Sequence, residues 1–129
     1  MTWQQLDEHF ELVEKLIQSR ELVERLRASL GLKAQNLSGM PRGNGVGDLI
    51  GNSVVEIVRV EQKTEKLAAR VAESQKPIDE WIDSIEDVYT QTILRLRFIY
   101  GLQWKEVAST VGGGNTAESV KMVCYRLFD

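Results

Sequence analysis

The sequence predicts an all-α fold, a long antiparallel helical hairpin or coiled-coil arm followed by a head of three short helices. Three observations predict it. Apolar residues recur at helical spacing over two long stretches. A segment with several glycines, Gly31 to Gly47, separates those stretches. The last forty or so residues (about that many, since helix ends are hard to place) form short apolar segments around glycines. We therefore divide the chain into an arm at 1–88 and a head at 89–129.

The first helix is predicted over 2–30. Its apolar positions fall at three- and four-residue steps with charged residues between them, which is typical of an amphipathic helix that needs a partner. They are Trp3, Leu6, Phe10, Val13, Leu16, Ile17, Leu22, Val23, Leu26 and Leu30. His9 has polar neighbours, so we expect a surface histidine. It is the chain's single histidine, so no second one completes a metal site.

The segment 31–47 is predicted to be a flexible link. It contains Pro41 and five glycines, which disfavour a continuous helix. The spacing of Gly43, Gly45 and Gly47 does not complete a dinucleotide fingerprint and lacks the lysine of a phosphate-binding loop. We therefore expect no nucleotide or other cofactor here.

The second helix is predicted over 48–86, with Asp48 as its cap. Ile50, Ile57, Thr64 and Val71 are spaced seven apart, and Val60 and Leu67 occupy the intervening positions, as in a coiled coil. At Pro77 the helix either kinks or gives way to a new helix. The apolar phase continues beyond it in both cases.

The two long helices should pack antiparallel, and each has apolar surface to spare. We expect a homodimer formed through the helical arm. The alternative is a monomer in which the first helix covers the second helix and the C-terminal head.

In the head, one apolar helix should end at Gly101, where a glycine without Cβ favours a left-handed conformation. A short helix with Trp104, Val107, Ala108 and Val111 inward should follow, with Trp104 closing onto Phe98. After Gly112, Gly113 and Gly114, either Asn115 or Thr116 caps a last helix that ends near Phe128. That helix should bury Val120, Val123, Cys124 and Leu127. Two short helices joined by a turn of small residues follow the plan of a helix-turn-helix DNA reader.

Three segments carry a resemblance to a known family. The stretches Ile93 to Phe98, Trp104 to Ala108 and Thr116 to Lys121 resemble region four of bacterial sigma factors, the domain that reads the upstream promoter element. The chain is also similar to small phage and prophage proteins with a sigma region four-like C-terminus, a similarity that includes Leu37 to Gly43. The resemblance implies a DNA-binding head and a role in phage gene regulation.

Candidate DNA-binding residues are those on and beside the outer face of the last helix. They are Thr116, Ala117, Glu118, Ser119, Lys121, Met122, Tyr125 and Arg126, together with Lys105, Arg95 and Arg97. Glu118 has the chemistry to accept from a cytosine amine, and Lys121 to donate to guanine or phosphate. Arg95 and Arg97 lie on different helix faces, so at most one of them points to phosphate.

Two departures from the sigma pattern affect this prediction. The turn at 112–115 is about two residues longer than the usual connection between the helices, which would tilt or displace the last helix. Ala117 stands where sigma factors commonly carry a base-reading arginine, so the same promoter sequence is not implied.

Charge and composition place limits on the function. The chain carries a net charge of −3, but the part from Arg95 onward has five basic and three acidic residues, a net +2 that fits DNA binding. A single cysteine excludes an internal disulfide framework. Without a leader or an apolar run of membrane-spanning length, we expect a protein of the bacterial host cytoplasm that makes no membrane contact.

Nothing in the sequence favours an enzyme. Asp79, Asp83, Glu86 and Asp87 share a helical region, and without a histidine or pocket such residues are usually a solvated acidic surface. Cys124 lies on an apolar stripe and should be a buried structural thiol. Neither Ser109 nor Thr110 has a base nearby in sequence.

Three functional hypotheses therefore remain. The first is a sequence-specific transcriptional regulator of phage type that binds double-stranded DNA. The second is an adaptor that binds RNA polymerase or another protein with little DNA contact. The third is a small DNA-packaging, terminase-like component that assembles into a ring.

Overall fold

The computed structural model describes the backbone of residues 1–37 and 44–128, and the side chains of residues 1–31 and 51–128. Within these residues the fold is all-α, as predicted. Its helices are α1 (Trp3–Leu37), α2 (Asn44–Asp83), α3 (Val88–Leu94), α4 (Trp104–Val111) and α5 (Ala117–Tyr125). A π-helical turn at Arg95–Ile99 extends α3, and a 3-10 turn at Arg126–Phe128 ends the chain. Among the described helices, none has both the length and the apolar character that a bilayer crossing requires.

The ends of the long helices differ from the prediction. Helix α1 continues beyond Leu30 to Leu37, and α2 already begins at Asn44, so Asp48 lies inside a helix and is not its cap. A glycine inside a helix costs only about 1 kcal/mol relative to alanine, so it weakens a helix without forbidding it. The remainder of the predicted link, 38–43, lies outside the described residues. Helix α2 runs through Pro77 to Asp83, so no new helix starts at the proline.

Packing divides the chain into two compact units. The hairpin unit consists of Leu16–Ala68, and the core unit consists of Met1–Lys15 together with Ala69–Asp129. The first fifteen residues therefore pack with the C-terminal helices. The predicted boundary between an arm and a head at residue 88 stays a prediction.

In the hairpin unit, α1 and α2 run antiparallel. The hydroxyls of Ser19 and Thr64 are hydrogen-bonded, and Arg27 forms an ion pair with Glu61. Val23 is buried, as the apolar stripe of the first helix predicts, and Ile57 is buried, as the heptad pattern of the second helix predicts. The ion pair is largely solvated, and such pairs contribute at most about 1 kcal/mol, so apolar contact is the main stabilising term here.

The core unit buries side chains from all five helices and from the π-helical turn. Helices α1 and α2 contribute Leu6, Phe10, Ile78 and Ile82 to the same cluster as the side chains of the short helices. Those of the C-terminal part are Ile93, Leu94, Phe98, Val107, Ala108, Val120 and Cys124. Each large apolar side chain buried in this way contributes about 1.5–3 kcal/mol.

Polar contacts fix the turn between α2 and α3. Asp87 caps α3 by accepting from the backbone N–H and the hydroxyl of Thr90, and the hydroxyl is the main reason that the pKa of Asp87 lies below its ordinary value. The Gln91 amide donates to the carbonyls of Ile82, at 3.1 Å, and Ile85, at 2.7 Å. One of these carbonyls belongs to the last turn of α2 and the other to the connection that follows it, so the Gln91 side chain ties the start of α3 to the end of α2.

The prediction of a surface histidine is wrong, because His9 is fully buried in the core unit. Its Nδ1 lies 2.9 Å from the Ser74 hydroxyl, and its Nε2 makes no hydrogen bond with the described residues. His9 lies one residue before Phe10, so the apolar face of α1 is wide enough to carry it inward. Burial lowers the pKa of His9 below its ordinary value of 6.5, while the backbone of Phe98 and the carboxylate of Asp79 act in the opposite direction.

Acid should therefore destabilise the protein through His9. The unfolded chain takes up a proton near pH 6.5, whereas the folded chain does so only at lower pH. The stability contributed by neutral His9 is complete above that pH and is lost below it, by up to about 1.4 kcal/mol per pH unit. Urea unfolding of the wild type and of His9→Gln between pH 7.5 and 5 measures this. The variant should show the shallower pH dependence, and equal slopes would contradict the assignment.

Candidate nucleic-acid interface

The helix that precedes the candidate interface, α3 with its π-helical turn, ends at a glycine. Gly101 has a φ of 74°, which confirms the predicted left-handed closure of the preceding helix. The rings of Phe98 and Trp104 meet edge to face with centroids 6.2 Å apart, so Trp104 closes onto Phe98 as predicted. The Glu106 side chain accepts from the backbone N–H of Gln103 at 3.1 Å and helps to start α4.

The turn between α4 and α5 depends on glycine. Gly112, Gly113 and Gly114 have φ values of 67°, 68° and 76°, a region that side chains with a Cβ rarely adopt. The Asn115 amide donates to the Gly112 carbonyl at 2.7 Å, so it braces the turn and does not cap α5. The cap is Thr116, whose hydroxyl accepts from the backbone N–H of Ser119. Thr116 and Ser119, both candidate DNA contacts, thus use their hydroxyls in a capping box.

Helix α5 packs on α3 and α4 with one side and leaves the other accessible. Val120 and Cys124 are fully buried, Val123 is half-buried, and Met122 is 47% exposed. Glu118 and Arg126 are also exposed, and Lys121 is partly so. We call these four accessible residues, Glu118, Lys121, Met122 and Arg126, the recognition face. Ala117, partly exposed, precedes them at the start of the helix.

The predicted burial of Leu127 is wrong, since its side chain is 40% exposed. The chain tightens into a 3-10 turn after Tyr125, and three residues per turn shift the phase of the last side chains relative to an α-helix. Phe128 packs inward instead, with its ring 5.7 Å from those of Trp3 and Trp81.

Tyr125 lies against the start of the chain. Its ring centroid is 4.3 Å from that of Trp3, and the Lys121 ammonium lies 5.5 Å from the Tyr125 ring on the same helix. The ring of this candidate DNA-binding residue thus packs against another part of the same chain. Nothing in the sequence beyond an apolar stripe on α1 connected Trp3 with the last helix.

The remaining basic candidates differ in accessibility. Lys105, on the first turn of α4, is exposed. Arg95 forms an ion pair with Asp83, with 41% of its side chain exposed. This pair, the cap formed by Asp87 and the hydrogen bond that Asp79 accepts from the Gln75 amide give three of the four acidic residues near Pro77 partners within the chain.

Arg97 is half-buried in the core unit and lies between two aromatic rings. Its guanidinium carbon is 3.5 Å from the centre of the Phe10 ring and 4.6 Å from that of Trp104, and it donates to the Leu102 carbonyl at 3.1 Å. Burial lowers the pKa of Arg97, and the nearby carboxylates of Asp7 and Glu14 oppose this shift. A guanidinium enclosed by two rings is not placed to reach a phosphate, so we leave Arg97 out of the interface.

Cys124 has the character of a structural thiol. It is fully buried, and burial raises its pKa to about 12 although the nearby Arg97 charge favours the thiolate. A thiol that stays protonated at neutral pH is a poor nucleophile. The expectation of a buried structural cysteine is confirmed.

The chain is an all-α protein whose last two helices pack against each other across a glycine turn, with one side of α5 accessible. Comparison with protein-family models, curated proteins and solved structures gives no match for the chain. The resemblance to sigma region four therefore remains a hypothesis that rests on the quoted sequence segments.

Replacing Arg97 should weaken the fold. Arg97→Ala removes the guanidinium from Phe10 and Trp104 and leaves the Leu102 carbonyl without its donor, so we expect the free energy of unfolding to fall by about 2 kcal/mol. Lys105→Ala is the matched control, a basic residue on the surface, and should change it by no more than about 0.5 kcal/mol. Chemical denaturation measures both, and an Arg97→Ala protein as stable as the wild type would rule out a structural role for the guanidinium.

Proposed function

We propose that this chain is a sequence-specific DNA-binding transcriptional regulator of phage or prophage type, acting in the cytoplasm of a bacterial host. The observation that carries the proposal is the recognition face, which is accessible on α5 while Val120 and Cys124 on the opposite side are buried. A short helix held on a second helix, with donors and acceptors on its outer side, is the arrangement that enters the major groove in helix-turn-helix proteins.

The side chains on and beside the recognition face differ in the DNA groups that they can bind. Lys121 donates to guanine or phosphate, and Glu118 accepts from a cytosine amine. Arg126, at the end of α5, and Lys105, at the start of α4, supply charge for the DNA backbone. Arg95 joins them only if DNA competes successfully with Asp83 for its guanidinium.

A second candidate function, binding to RNA polymerase or another protein, is favoured by a different surface. Val88, at the first turn of α3, is 71% exposed, and Tyr100, after the π-helical turn, is 65% exposed. Tyrosine is enriched at protein–protein interfaces relative to the rest of the protein surface. This adaptor would keep the same fold and use α3 rather than α5.

Reversing the charge of Lys121 tests the DNA-binding proposal. Lys121→Glu should abolish retention of the protein on its DNA, because it removes a donor and places a negative charge against phosphate. Helical content, measured by circular dichroism, should not change, because Lys121 is partly exposed and its burial is not required by the core.

Selection of bound sequences from a random DNA pool at near-physiological salt supplies the DNA for this test. Lys15→Glu is the matched control, since Lys15 is an exposed lysine on α1, and it should weaken binding far less. Binding undiminished by Lys121→Glu would place the interface elsewhere. No enriched sequence at any salt would favour the adaptor.

We further propose that the chain forms a homodimer through the hairpin unit. Val54, Val55 and Val58 form an exposed apolar cluster on α2, in which Val55 is 56% exposed and lies opposite the buried Ile57. A Cβ added at Gly51, one turn before Val55, would meet nothing within 4 Å, so this surface is open to a second helix. Two copies would double the phosphate contacts and match a two-fold operator.

The dimer proposal predicts the effect of a charge in the valine cluster. Val55→Lys should turn a dimer into a monomer, because it places two like charges in an apolar contact, whereas Val88→Lys on α3 should leave the mass unchanged. Sedimentation equilibrium measures the mass of each protein. A wild-type monomer at all accessible concentrations, or a Val55→Lys dimer, would contradict the proposal.

A further inference from the structure

Trp3 is the aromatic residue with the most ring contacts in the described part of the core unit. Its ring lies 4.3 Å from Tyr125, 5.7 Å from Phe128, 5.9 Å from Phe98 and 6.4 Å from Trp104, measured between centroids. These four partners belong to the π-helical turn, α4 and the end of α5 with its 3-10 turn. One side chain in the first turn of α1 thus contacts both members of the helix-turn-helix pair.

The contact with Tyr125 continues toward the recognition face. Tyr125 stands four residues after Lys121, one helical turn away, and its ring lies 5.5 Å from the Lys121 ammonium. An ammonium at that distance from an aromatic face is attracted by the ring's quadrupole. The position of the Tyr125 ring therefore restricts the position of the lysine charge, and Trp3 restricts the ring.

A contact that restricts the position of the charged group matters more for lysine than for arginine. Its ammonium is a point charge on a flexible four-carbon chain, so it has no preferred direction of its own. Lys105 has no contact with an aromatic ring among the described cation–ring contacts. A base-reading lysine must hold its donor within hydrogen-bonding reach of one base edge, whereas a lysine that contacts phosphate tolerates a wider range of positions.

We infer that Trp3 is a positioning residue for the recognition face, which acts through Tyr125 to hold Lys121 where it meets a base edge. This inference rests on the proposed DNA-binding function. Under it, the base preference of DNA binding depends on the first turn of α1. The N-terminal turn of α1, far from α5 in sequence, becomes a determinant of sequence preference. Trp3 itself touches no DNA.

A double-mutant cycle on the full-length protein tests the coupling. In the wild-type background, Lys121→Met should weaken binding to the selected DNA about tenfold. In a Trp3→Leu background, the same change should weaken it about twofold or less, because residues linked through a shared contact have non-additive effects. Trp3→Phe, which keeps an aromatic ring against Tyr125, should restore most of the difference.

Two controls separate positioning from general support of the fold. Lys105→Met should weaken DNA binding equally with Trp or Leu at position 3, because among the described residues the Lys105 ammonium makes no cation–ring contact with Trp3 or Tyr125. Thermal unfolding must show every variant folded at the assay temperature, and Trp3→Met replaces Trp3→Leu if the latter does not fold, since a flexible thioether fills irregular space. A Lys121→Met effect that is equal in both backgrounds would overturn the inference.

A measurement without DNA distinguishes failure of this inference from failure of the proposed function. The Lys121 methylene protons should be shifted upfield by the Tyr125 ring in the wild type and should move toward the positions of the Lys105 protons in Trp3→Leu. Unshifted Lys121 protons in the wild type would overturn the inference even if DNA binds. Wild-type protein that binds no DNA would refute the proposed function, whatever the shifts show.

Discussion

The fold depends on one constraint: the short helices lack enough apolar surface to form a core by themselves. Helices α3, α4 and α5 have 7, 8 and 9 residues, and isolated helices of this length are not stable in water. Leu6 and Phe10 of α1 and Ile78 and Ile82 of α2 complete their core. The two ends of the chain are therefore parts of one packing unit, and a C-terminal fragment without α1 would expose the apolar side of the short helices.

The π-helical turn at Arg95–Ile99 makes room for a charged residue in that core. The backbone N–H of Tyr100 donates to the carbonyl of Arg95, five residues back, so this turn is wider than an α-helical one. The wider turn shifts the phase of the side chains that follow: Phe98 is fully buried, and the half-buried Arg97 lies against the Phe10 ring. The rings of Phe10 and Trp104 and the Leu102 carbonyl offset part of the cost of burying the guanidinium, whose Nε has no hydrogen-bond partner among the described residues.

The sequence predicts what depends on local physics. The all-α class, the closure at Gly101 and the buried Val120 and Cys124 all follow from periodicity or backbone preference, and all are confirmed. The features that the sequence does not predict depend on contacts between residues far apart in the chain. His9 lies in a stretch of α1 rich in acidic residues, yet its ring is buried against Ser74 of α2.

The same distinction applies to the candidate interface. Periodicity places Glu118 and Lys121 on the accessible side of α5 but does not separate Arg95, on the surface, from Arg97, between two rings. The prediction also ends α1 before Gly31, whereas the helix continues to Leu37. It fails there because one glycine costs a helix only about 1 kcal/mol. Sequence therefore identifies the helix that carries the candidate site more reliably than the individual side chains that are free to act.

The small positive charge of the C-terminal part limits what non-specific attraction contributes. Lys105, Lys121 and Arg126 are the accessible cations beside α5 that make no ion pair among the described residues. Each phosphate contact adds about one unit to the salt dependence of binding, so one copy with three such cations would hold DNA weakly at physiological salt. Under the DNA-binding proposal, affinity must then come from well-positioned base contacts, from a second copy, or from both, which is why the placement of one lysine by its aromatic neighbours matters.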